Sequence, residues 1–278
     1  MRAEAEVRTL LRERHILPNP RRGQNFLIAD QVYGSILHTA DLTSDDTVLE
    51  IGAGLGTLTA QLQPLVHKVV AVEVDGHLAA LLRQRFLDHS NVAIEEVDIL
   101  SVSVAELGLS SPYKVVANIP YHITSAIFKK FLTQDIQPTT MTFLVQQEVG
   151  ERITAAPGAM SLLSLSVQLY ATPCVVMRVP KTSFLPPPKV DSVLLQVAGI
   201  HSFPFADVPE KFFWRVARMG FAARRKQLKN NLTAGFHLEP SMVKAIIVKA
   251  GLQLAARPQD LTLDDWHAIA WLLFGIVQ

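Results

Sequence analysis

The fold of the chain can be read from residues 50–56, the run Glu50-Ile51-Gly52-Ala53-Gly54-Leu55-Gly56. The run begins inside an apolar segment, residues 48–51, that is typical of a short buried strand, and it leads into a helical pattern over 55–65. Glycines at a strand-to-helix turn let the backbone turn tightly and approach a ligand, with helix N-terminal amides facing it. The spacing is G-x-G-x-G, not the dinucleotide pattern G-x-G-x-x-G. The turn predicts a nucleotide-shaped ligand in an α/β fold.

Strands and helices alternate outward from this turn over residues 25–199. The predicted strands are 48–51, 68–74, 92–96, 113–117 and 141–145, and the predicted helices are 55–65, 77–86, 124–132 and 148–155. Two later β runs, 175–179 and 192–197, have no clear helix between them and are expected to form an antiparallel pair at the sheet edge. The alternation predicts a mostly parallel, doubly wound, Rossmann-like sheet.

The pattern changes after residue 199. Helical periodicity covers 211–225, 241–250 and 263–276, with glycine and proline between these segments. We therefore expect two domains, residues 1–199 with the sheet and a basic N-terminal arm, and residues 200–278 as a small all-helical C-terminal domain.

Acidic residues follow the second and third predicted strands. Val72-Glu73-Val74-Asp75 lies about twenty residues after the glycines, where a carboxylate can accept hydrogen bonds from both ribose hydroxyls. The spacing allows either Glu73 or Asp75, and we choose Glu73. Asp98 follows the third strand and can accept a bond from an adenine amine. Because ligands of such sheets bind at the carboxyl ends of strands, these residues predict an adenosine-binding site.

The fourth predicted strand ends at Asn118-Ile119-Pro120-Tyr121. An adenine amine is a poor nucleophile because its lone pair is delocalised into the ring. The Asn118 side-chain oxygen and the Pro120 carbonyl can bond its two hydrogens, which favours a pyramidal nitrogen whose lone pair points at a sulfonium methyl. Tyr121 can stack on a base that has left its own strand. With the glycine turn, this tetrapeptide indicates an amino-methyltransferase that uses S-adenosylmethionine.

Composition excludes several other classes. The single cysteine, Cys174, rules out an internal disulfide and suits a reducing cytosol. No apolar run reaches the roughly 18 residues that a membrane helix needs, and the N-terminus lacks the apolar core of a signal peptide. The nine histidines do not cluster at ligand spacing, so no metal site is expected. These features predict a soluble cytoplasmic protein with no membrane partner.

Basic residues concentrate at the two ends of the chain, although the net charge is only +1. Residues 1–22 carry six arginines and three glutamates, whereas residues 23–199 carry ten basic and sixteen acidic side chains. In residues 224–229 the basic side chains are predicted to lie within two helical turns, with no acidic residue three or four positions away. Such segments contact phosphates without reading sequence. The predicted RNA-binding residues are Arg21, Arg22, Arg224, Arg225, Lys226 and Lys229.

Three further stretches give the chain a family resemblance. They are Gly23-Gln24-Asn25-Phe26-Leu27, Ser183-Phe184-Leu185-Pro186-Pro187-Pro188-Lys189-Val190-Asp191-Ser192 and Phe221-Ala222-Ala223-Arg224-Arg225-Lys226-Gln227-Leu228-Lys229-Asn230-Asn231-Leu232. With the two motifs above, the chain resembles, over nearly its whole length, the ribosomal RNA adenine dimethyltransferases, specifically the KsgA/RsmA type acting on small-subunit RNA. The resemblance implies the class I methyltransferase fold that depends on S-adenosylmethionine (SAM).

The resemblance also implies a reaction, a partner and a set of roles. Four methyl groups would pass from SAM to two adjacent adenosines in a hairpin loop near the 3′ end of 16S rRNA, in the 30S subunit or its precursor, and the enzyme would be a monomer. Phe184 would sandwich the target base opposite Tyr121, with Asn118 and Pro120 completing the catalytic set. The implied cofactor-binding residues are Asn25, Leu27, Gly52, Gly54, Glu73, Asp98 and Asn118.

Four alternatives stay open at this stage. An Erm-type enzyme acting on large-subunit RNA shares the chemistry, but the run Pro186 to Ser192 and the longer helical tail favour the small-subunit type. A DNA amino-methyltransferase is disfavoured by the C-terminal motif. A dehydrogenase that uses NAD shares the glycines, but not the sixth-position glycine or the turn at Asn118. A binding protein without catalysis is disfavoured by the intact Glu73, Asp98 and Asn118.

Overall fold

The computed structural model describes residues 2–19, 23–120, 123–223 and 225–277. The chain divides into two compact units. The first comprises Met1–Gly150 and Thr172–Ile200, and the second comprises Glu151–Ala171 and His201–Gln278.

The first unit contains the sheet. Its strands are β1 (Phe26–Leu27), β2 (Thr47–Ile51), β3 (Lys68–Glu73), β4 (Val92–Glu96), β5 (Lys114–Asn118), β6 (Thr140–Gln146), β7 (Thr172–Val179), β8 (Phe184–Leu185) and β9 (Ser192–Ala198). Its helices are α1 (Arg2–Glu13), α2 (Asp30–Ala40), α3 (Thr57–Leu62), α4 (Gly76–Arg85) and α5 (Thr124–Thr133), and α6 (Gln147–Ile153) begins in it.

Seven of the described strands form one sheet in the order β4-β3-β2-β5-β6-β9-β7. The neighbours from β4 to β6 pair in parallel, whereas β9 runs antiparallel to both β6 and β7. The predicted doubly wound sheet and the predicted antiparallel pair at its edge are therefore confirmed. The short strands β1 and β8 pair with each other as a separate two-stranded ladder.

The central strands are buried on both faces, which explains their continuous apolar sequences. In β3, Val69, Val70, Ala71 and Val72 are all buried. One apolar cluster joins this strand to β2 and to the face of α2 that carries Tyr33. Parallel strands joined by helices bring their carboxyl ends to one edge of the sheet, and that edge contains the ends of β2 to β5.

The N-terminal segment is a helix, which the sequence prediction treated only as a basic arm. Helix α1 packs its apolar face against the rest of the first unit, and Val7 is fully buried. The side chain of Asp30 accepts hydrogen bonds from the backbone N–H groups of Arg2 and Ala3, each at 2.8 Å, and so caps the first turn.

The second unit is helical and includes a segment that the expected boundary at residues 199 and 200 left out. Its helices are α7 (Leu162–Gln168), α8 (Glu210–Gly220), α9 (Leu228–Phe236), α10 (Pro240–Lys249) and α11 (Leu263–Val277). Glu151–Ala171 belongs here because its contacts are with later residues. The Tyr170 hydroxyl lies 2.6 Å from a Glu210 carboxylate oxygen, and the Gly158 N–H donates to the Gln259 carbonyl at 2.8 Å. No helix in the described part of the chain has the length and apolar character needed to cross a membrane.

Candidate active site

The glycine turn connects β2 to α3 at the carboxyl edge of the sheet. Gly52 and Gly54 have φ angles of 71° and 59°, in the left-handed region that favours glycine. The N–H groups of Gly52 and Ala53 donate to the Val72 carbonyl at 2.8 and 3.2 Å, so the turn is tied to β3. A Cβ atom on Gly54 would lie 3.2 Å from the Phe26 ring. The turn is therefore a narrow backbone cradle with little room for a side chain at Gly54.

Glu73, the last residue of β3, faces this cradle. Its carboxylate accepts hydrogen bonds from the N–H groups of Gly54 and Asp75, each at 2.9 Å. Burial raises the pKa of Glu73, whereas these N–H bonds act in the opposite direction. Asp75 has a different role, because its side chain accepts from the His77 N–H at 3.0 Å and caps helix α4. The geometry favours Glu73 over Asp75 as the ribose-binding carboxylate, and that role stays a prediction.

Glu50 is a site residue to which the sequence analysis gave no role. It lies in β2 with 2% of its surface exposed, and the Thr59 hydroxyl donates to its carboxylate at 2.6 Å. Burial raises the pKa of Glu50 to about 8, and the charge of Glu73 contributes in the same direction. The available signal was the presence of an ionisable residue inside the apolar run 48–51.

Asp98 lies two residues beyond β4 and is exposed. Its Oδ1 atom accepts a hydrogen bond from the Leu100 N–H at 2.9 Å, which closes a local turn. Its carboxylate thus has a fixed orientation just beyond the carboxyl end of β4. Binding of an adenine amine by Asp98 stays a prediction.

Asn118, the last residue of β5, has its side-chain amide oriented by a distant backbone group. Its Nδ2 atom donates to the Asn25 carbonyl at 3.0 Å. Because a carbonyl only accepts, this bond assigns the nitrogen and leaves Oδ1 as the acceptor of the amide. Asn25 is itself oriented by a 3.2 Å bond from its side chain to the Gly23 carbonyl. A Cβ on Gly52 would lie 3.9 Å from the Pro120 ring, so the structure brings the glycine turn and the Asn118 turn together.

The Pro120 carbonyl closes the turn that follows β5. It accepts a hydrogen bond from the Ile123 N–H at 3.2 Å. A carbonyl oxygen has two lone pairs, so one remains for the predicted bond to a substrate amine. Tyr121, the predicted stacking residue, lies outside the described residues.

Phe184 and Leu27 lie opposite each other in the β1–β8 ladder. Phe184 is only 2% exposed and belongs to the apolar core that also contains Leu27. In this structure its ring packs against the protein, so stacking on a base would require the side chain to move. The sandwiching role stays a prediction. The Leu27 side chain is also buried, and its carbonyl accepts a 2.9 Å hydrogen bond from the Tyr33 hydroxyl.

The described residues of the basic segment do not continue helix α8, so the prediction of a continuous helix through this segment is wrong. Helix α8 ends at Gly220 and α9 begins at Leu228. Arg225 and Lys226 are exposed in the connecting turn, whereas Lys229 is half-buried in the first turn of α9. Arg225 and Lys229 therefore do not lie within one continuous helix.

A buried asparagine stabilises this turn in place of helical hydrogen bonds. The Asn231 side-chain amide donates to the carbonyls of Gly220 and Ala223, at 2.5 and 3.1 Å. These bonds satisfy carbonyl groups that a longer helix would have used, and so they stabilise the C-terminal end of α8. The remaining predicted RNA-binding residues, Arg21, Arg22 and Arg224, lie outside the described residues.

Comparison with known proteins gives one family. The sequence model described as "Ribosomal RNA adenine dimethylase" matches residues 17–273. A protein of Dehalococcoides mccartyi named "Ribosomal RNA small subunit methyltransferase A" is 42% identical over 248 residues, which cover 89% of this chain and 85% of the relative. A protein of the same name from Oceanobacillus iheyensis is 35% identical over 277 residues, covering 96% and 94%.

The solved structures include a similar fold. A crystal structure of the 23S rRNA methyltransferase ErmE has a TM-score of 0.71 and 26% sequence identity, and the match covers 90% of this chain and 100% of that one.

Proposed function

The chain belongs to the ribosomal RNA adenine dimethylase family, and we propose that it dimethylates the exocyclic amines of two adjacent adenosines in the 3′-terminal hairpin loop of 16S rRNA. It is an rRNA adenine methyltransferase with the class I fold, and its cofactor is S-adenosylmethionine. The relatives of 35% identity and more described above are named for the small subunit, whereas ErmE, named for 23S rRNA, is 26% identical. This difference supports the small subunit over the large one.

The residues at the strand ends fit this cofactor. Gly54 provides a backbone cradle that a Cβ would narrow, and Glu73 lies beside it with its carboxylate already oriented by two N–H donors. Gly52, Gly54 and Glu73 would bind the cofactor there, with Asn25 and Leu27 on the methionine side and Asp98 on the adenine side. When bound, SAM supplies an electrophilic methyl group on a positively charged sulfur.

One observation carries the catalytic proposal: the fixed orientation of the Asn118 amide. Because Nδ2 is bonded to the Asn25 carbonyl, Oδ1 is available to accept from a substrate amine. The free lone pair of the Pro120 carbonyl can accept the second hydrogen of the same amine. Two acceptors that are positioned before the substrate arrives favour a pyramidal nitrogen, and their orientation lowers the barrier without a strong general base.

We propose that the chain acts on 16S rRNA in the 30S subunit or its precursor, as a monomer in the cytoplasm. Arg225 and Lys226, exposed in the turn before α9, support a contact with RNA phosphates. RNA recognition of this kind depends on shape and on unstacked bases.

Mass spectrometry of ribosomal RNA tests the substrate. Purified protein and SAM are incubated separately with undermethylated 30S particles and with 50S particles. We expect two dimethylated adenosines in the 3′-terminal loop of 16S rRNA and none in 23S rRNA. Methylation of 23S rRNA alone would support the Erm-type alternative, and no methylation of either RNA would contradict the proposal.

An Asn118→Ala substitution tests the catalytic turn. We expect methyl transfer to fall by roughly two to three orders of magnitude, because one of the two acceptors is lost, while RNA binding persists. Asn91→Ala is a matched control, because Asn91 also donates its side-chain amide to a backbone carbonyl, that of Gln63, at 2.9 Å. The control is expected to keep its methyl-transfer rate. Transfer by the Asn118 variant near the wild-type rate would show that the catalytic assignment is wrong.

A further inference from the structure

A buried tyrosine hydroxyl connects the glycine-turn helix to the segment that precedes α2. Tyr33 lies in α2 with 2% of its surface exposed. Its hydroxyl lies 2.9 Å from the Leu27 carbonyl and 2.6 Å from the Thr57 hydroxyl, and Thr57 is the first residue of α3. A carbonyl only accepts, so Tyr33 donates its single hydrogen to Leu27. Thr57 must then donate to Tyr33, which fixes the direction of both bonds.

The segment that receives this bond is also the segment that orients the Asn118 amide. Leu27 lies two residues after Asn25, whose carbonyl accepts the Asn118 Nδ2 hydrogen. On its other side, the segment pairs with β8 through Leu27 and Phe184. Tyr33, Thr57 and Asn118 line the same small cavity, which measures about 40 Å³. The Tyr33 hydroxyl therefore restrains the segment by a hydrogen bond from the side of the glycine-turn helix, in addition to the packing of the Phe26 ring near Gly54.

We propose that Tyr33 is a positioning residue for methyl transfer. Through the Leu27 carbonyl it fixes the backbone at Asn25, and through Asn25 it fixes the direction in which Asn118 Oδ1 points. This series of hydrogen bonds begins at Thr57, the first residue of α3. The orientation of the Asn118 amide is therefore coupled to the first turn of α3. Burial raises the pKa of Tyr33, which keeps the hydroxyl protonated and able to donate across the neutral pH range. This inference rests on the proposed role of Asn118.

A Tyr33→Phe substitution tests the proposal, because it removes the hydroxyl and retains the buried ring. We expect the single-turnover rate constant for methyl transfer to fall about tenfold or more, since small displacements of a positioned group are costly. The Kd for RNA should change by no more than about threefold. Because Asn25 and Leu27 also belong to the proposed cofactor site, the rate constant is measured at saturating SAM, which separates loss of orientation from loss of binding.

Tyr113→Phe is the matched control for lost stability. Tyr113 is 1% exposed, and its hydroxyl makes the same pair of bonds, donating to the Ile136 carbonyl at 3.0 Å and accepting from the Gln134 amide at 2.8 Å. It precedes β5, at the end of that strand opposite Asn118. The control should keep the wild-type rate constant within about twofold. Equal rate constants for the two variants would overturn the proposal.

Thr57 tests whether the bonds act as one chain. Thr57→Val should lower the rate constant as Tyr33→Phe does, and Thr57→Ser, which keeps a hydroxyl, should recover most of that loss. The double variant Tyr33→Phe/Thr57→Val should be no slower than the slower single variant, because both changes interrupt the same chain. Additive losses would overturn the coupling. The two proposals fail in different ways. If the wild type methylates 16S rRNA, Asn118→Ala does not, and Tyr33→Phe is as fast as Tyr113→Phe, only the role of Tyr33 is wrong. If the wild type does not methylate 16S rRNA, the proposed function is wrong.

Discussion

At the scale of single residues, hydrogen bonds distinguish two carboxylates that spacing leaves equivalent. Glu73 accepts from the backbone of the glycine turn, whereas Asp75 accepts from the first turn of α4. The separation in sequence, two residues, is too small to decide which carboxylate faces a ligand. The decision depends on where β3 ends and on which N–H groups are then left to be satisfied.

Substitution at these two positions tests the distinction. Glu73→Gln places an amide nitrogen opposite one of the two N–H donors, Gly54 or Asp75, so we expect the Kd for SAM to rise about tenfold or more. Asp75→Asn keeps a good helix cap, so its Kd should change by less than about threefold. Isothermal titration calorimetry measures both values. A larger rise in the Kd for SAM in the Asp75 variant would indicate that Asp75, not Glu73, binds the ribose.

Glu50 predicts a dependence of stability on pH. Its pKa rises from the ordinary 4.5 to about 8 on folding, so the folded state favours the protonated carboxyl. The resulting stabilisation is complete below about pH 4.5 and is lost as the pH rises towards about 8, a difference on the order of 5 kcal/mol.

Urea unfolding of the cofactor-free protein at a series of pH values measures this effect. The free energy of unfolding of the wild type should fall across that pH interval, and in Glu50→Gln this part of the fall should be absent. The glutamine retains an oxygen that can accept from Thr59. The same pH dependence in both proteins would show that Glu50 is not the group that titrates.

At the scale of elements, the sequence predicted the strands better than the helices. Strand β3 began at the predicted residue because a strand buried on both faces is a continuous apolar run. Strand β4, a partly buried edge strand, also began at the predicted residue, the first of the apolar residues 92–94. Helix α2 was missed, since it contains Gly34 and β-branched residues and forms because its face with Tyr33 packs on the sheet. The two-residue strands β1 and β8 have too few residues for any periodicity, so their ladder was also missed.

The same limits apply to the site. The meeting of Gly52, Glu73 and Asn118 at one edge could be predicted, because carboxyl ends of parallel strands adjoin. The bond between Asn25 and Asn118 could not, since it joins a side chain to a backbone carbonyl 93 residues away. Tyr33 was missed because its hydroxyl bonds to Leu27 and Thr57 depend on how α2 packs, which no local sequence pattern reports.

The glycine turn provides an element-scale prediction. Gly54 and Gly108 have similar φ angles, 59° and 66°, but only a Cβ on Gly54 would meet a neighbour, the Phe26 ring at 3.2 Å. Both Gly→Ala variants should lose about 1 kcal/mol of stability from left-handed backbone strain. Only Gly54→Ala should weaken SAM binding, with a Kd about tenfold higher, because the added methyl group meets the Phe26 ring and forces the backbone of the glycine turn to shift. Equal SAM affinity in both variants would show that the cradle does not contact the cofactor.

At the scale of the whole molecule, the chain passes between the two units at three points, and the composition change near residue 199 lies beside only the last of them. Glu151–Ala171 lies between strands of the first unit in the sequence but belongs to the second. Its partners, such as Glu210 and Gln259, come later in the chain and share no sequence pattern with it. Pairings over such separations cannot be deduced from local periodicity.

Charge on the second unit gives the last prediction. Arg225, Lys226 and Lys229 surround the turn before α9, and removing all three as alanines should weaken binding of the 16S rRNA hairpin about tenfold near 0.15 M salt. The slope of log K against log salt concentration should fall by roughly 2, since each phosphate contact contributes about 0.7 for single-stranded RNA.

The control is Lys244→Ala/Lys249→Ala, which removes exposed charges from α10. Long-range attraction of RNA depends on the net charge of the protein, whereas a direct phosphate contact depends on where the charged side chain lies. For each charge removed, the slope of log K against log salt concentration should therefore change more in the triple variant than in the control. Equal changes per charge would mean that the turn contributes only to the overall field of the unit.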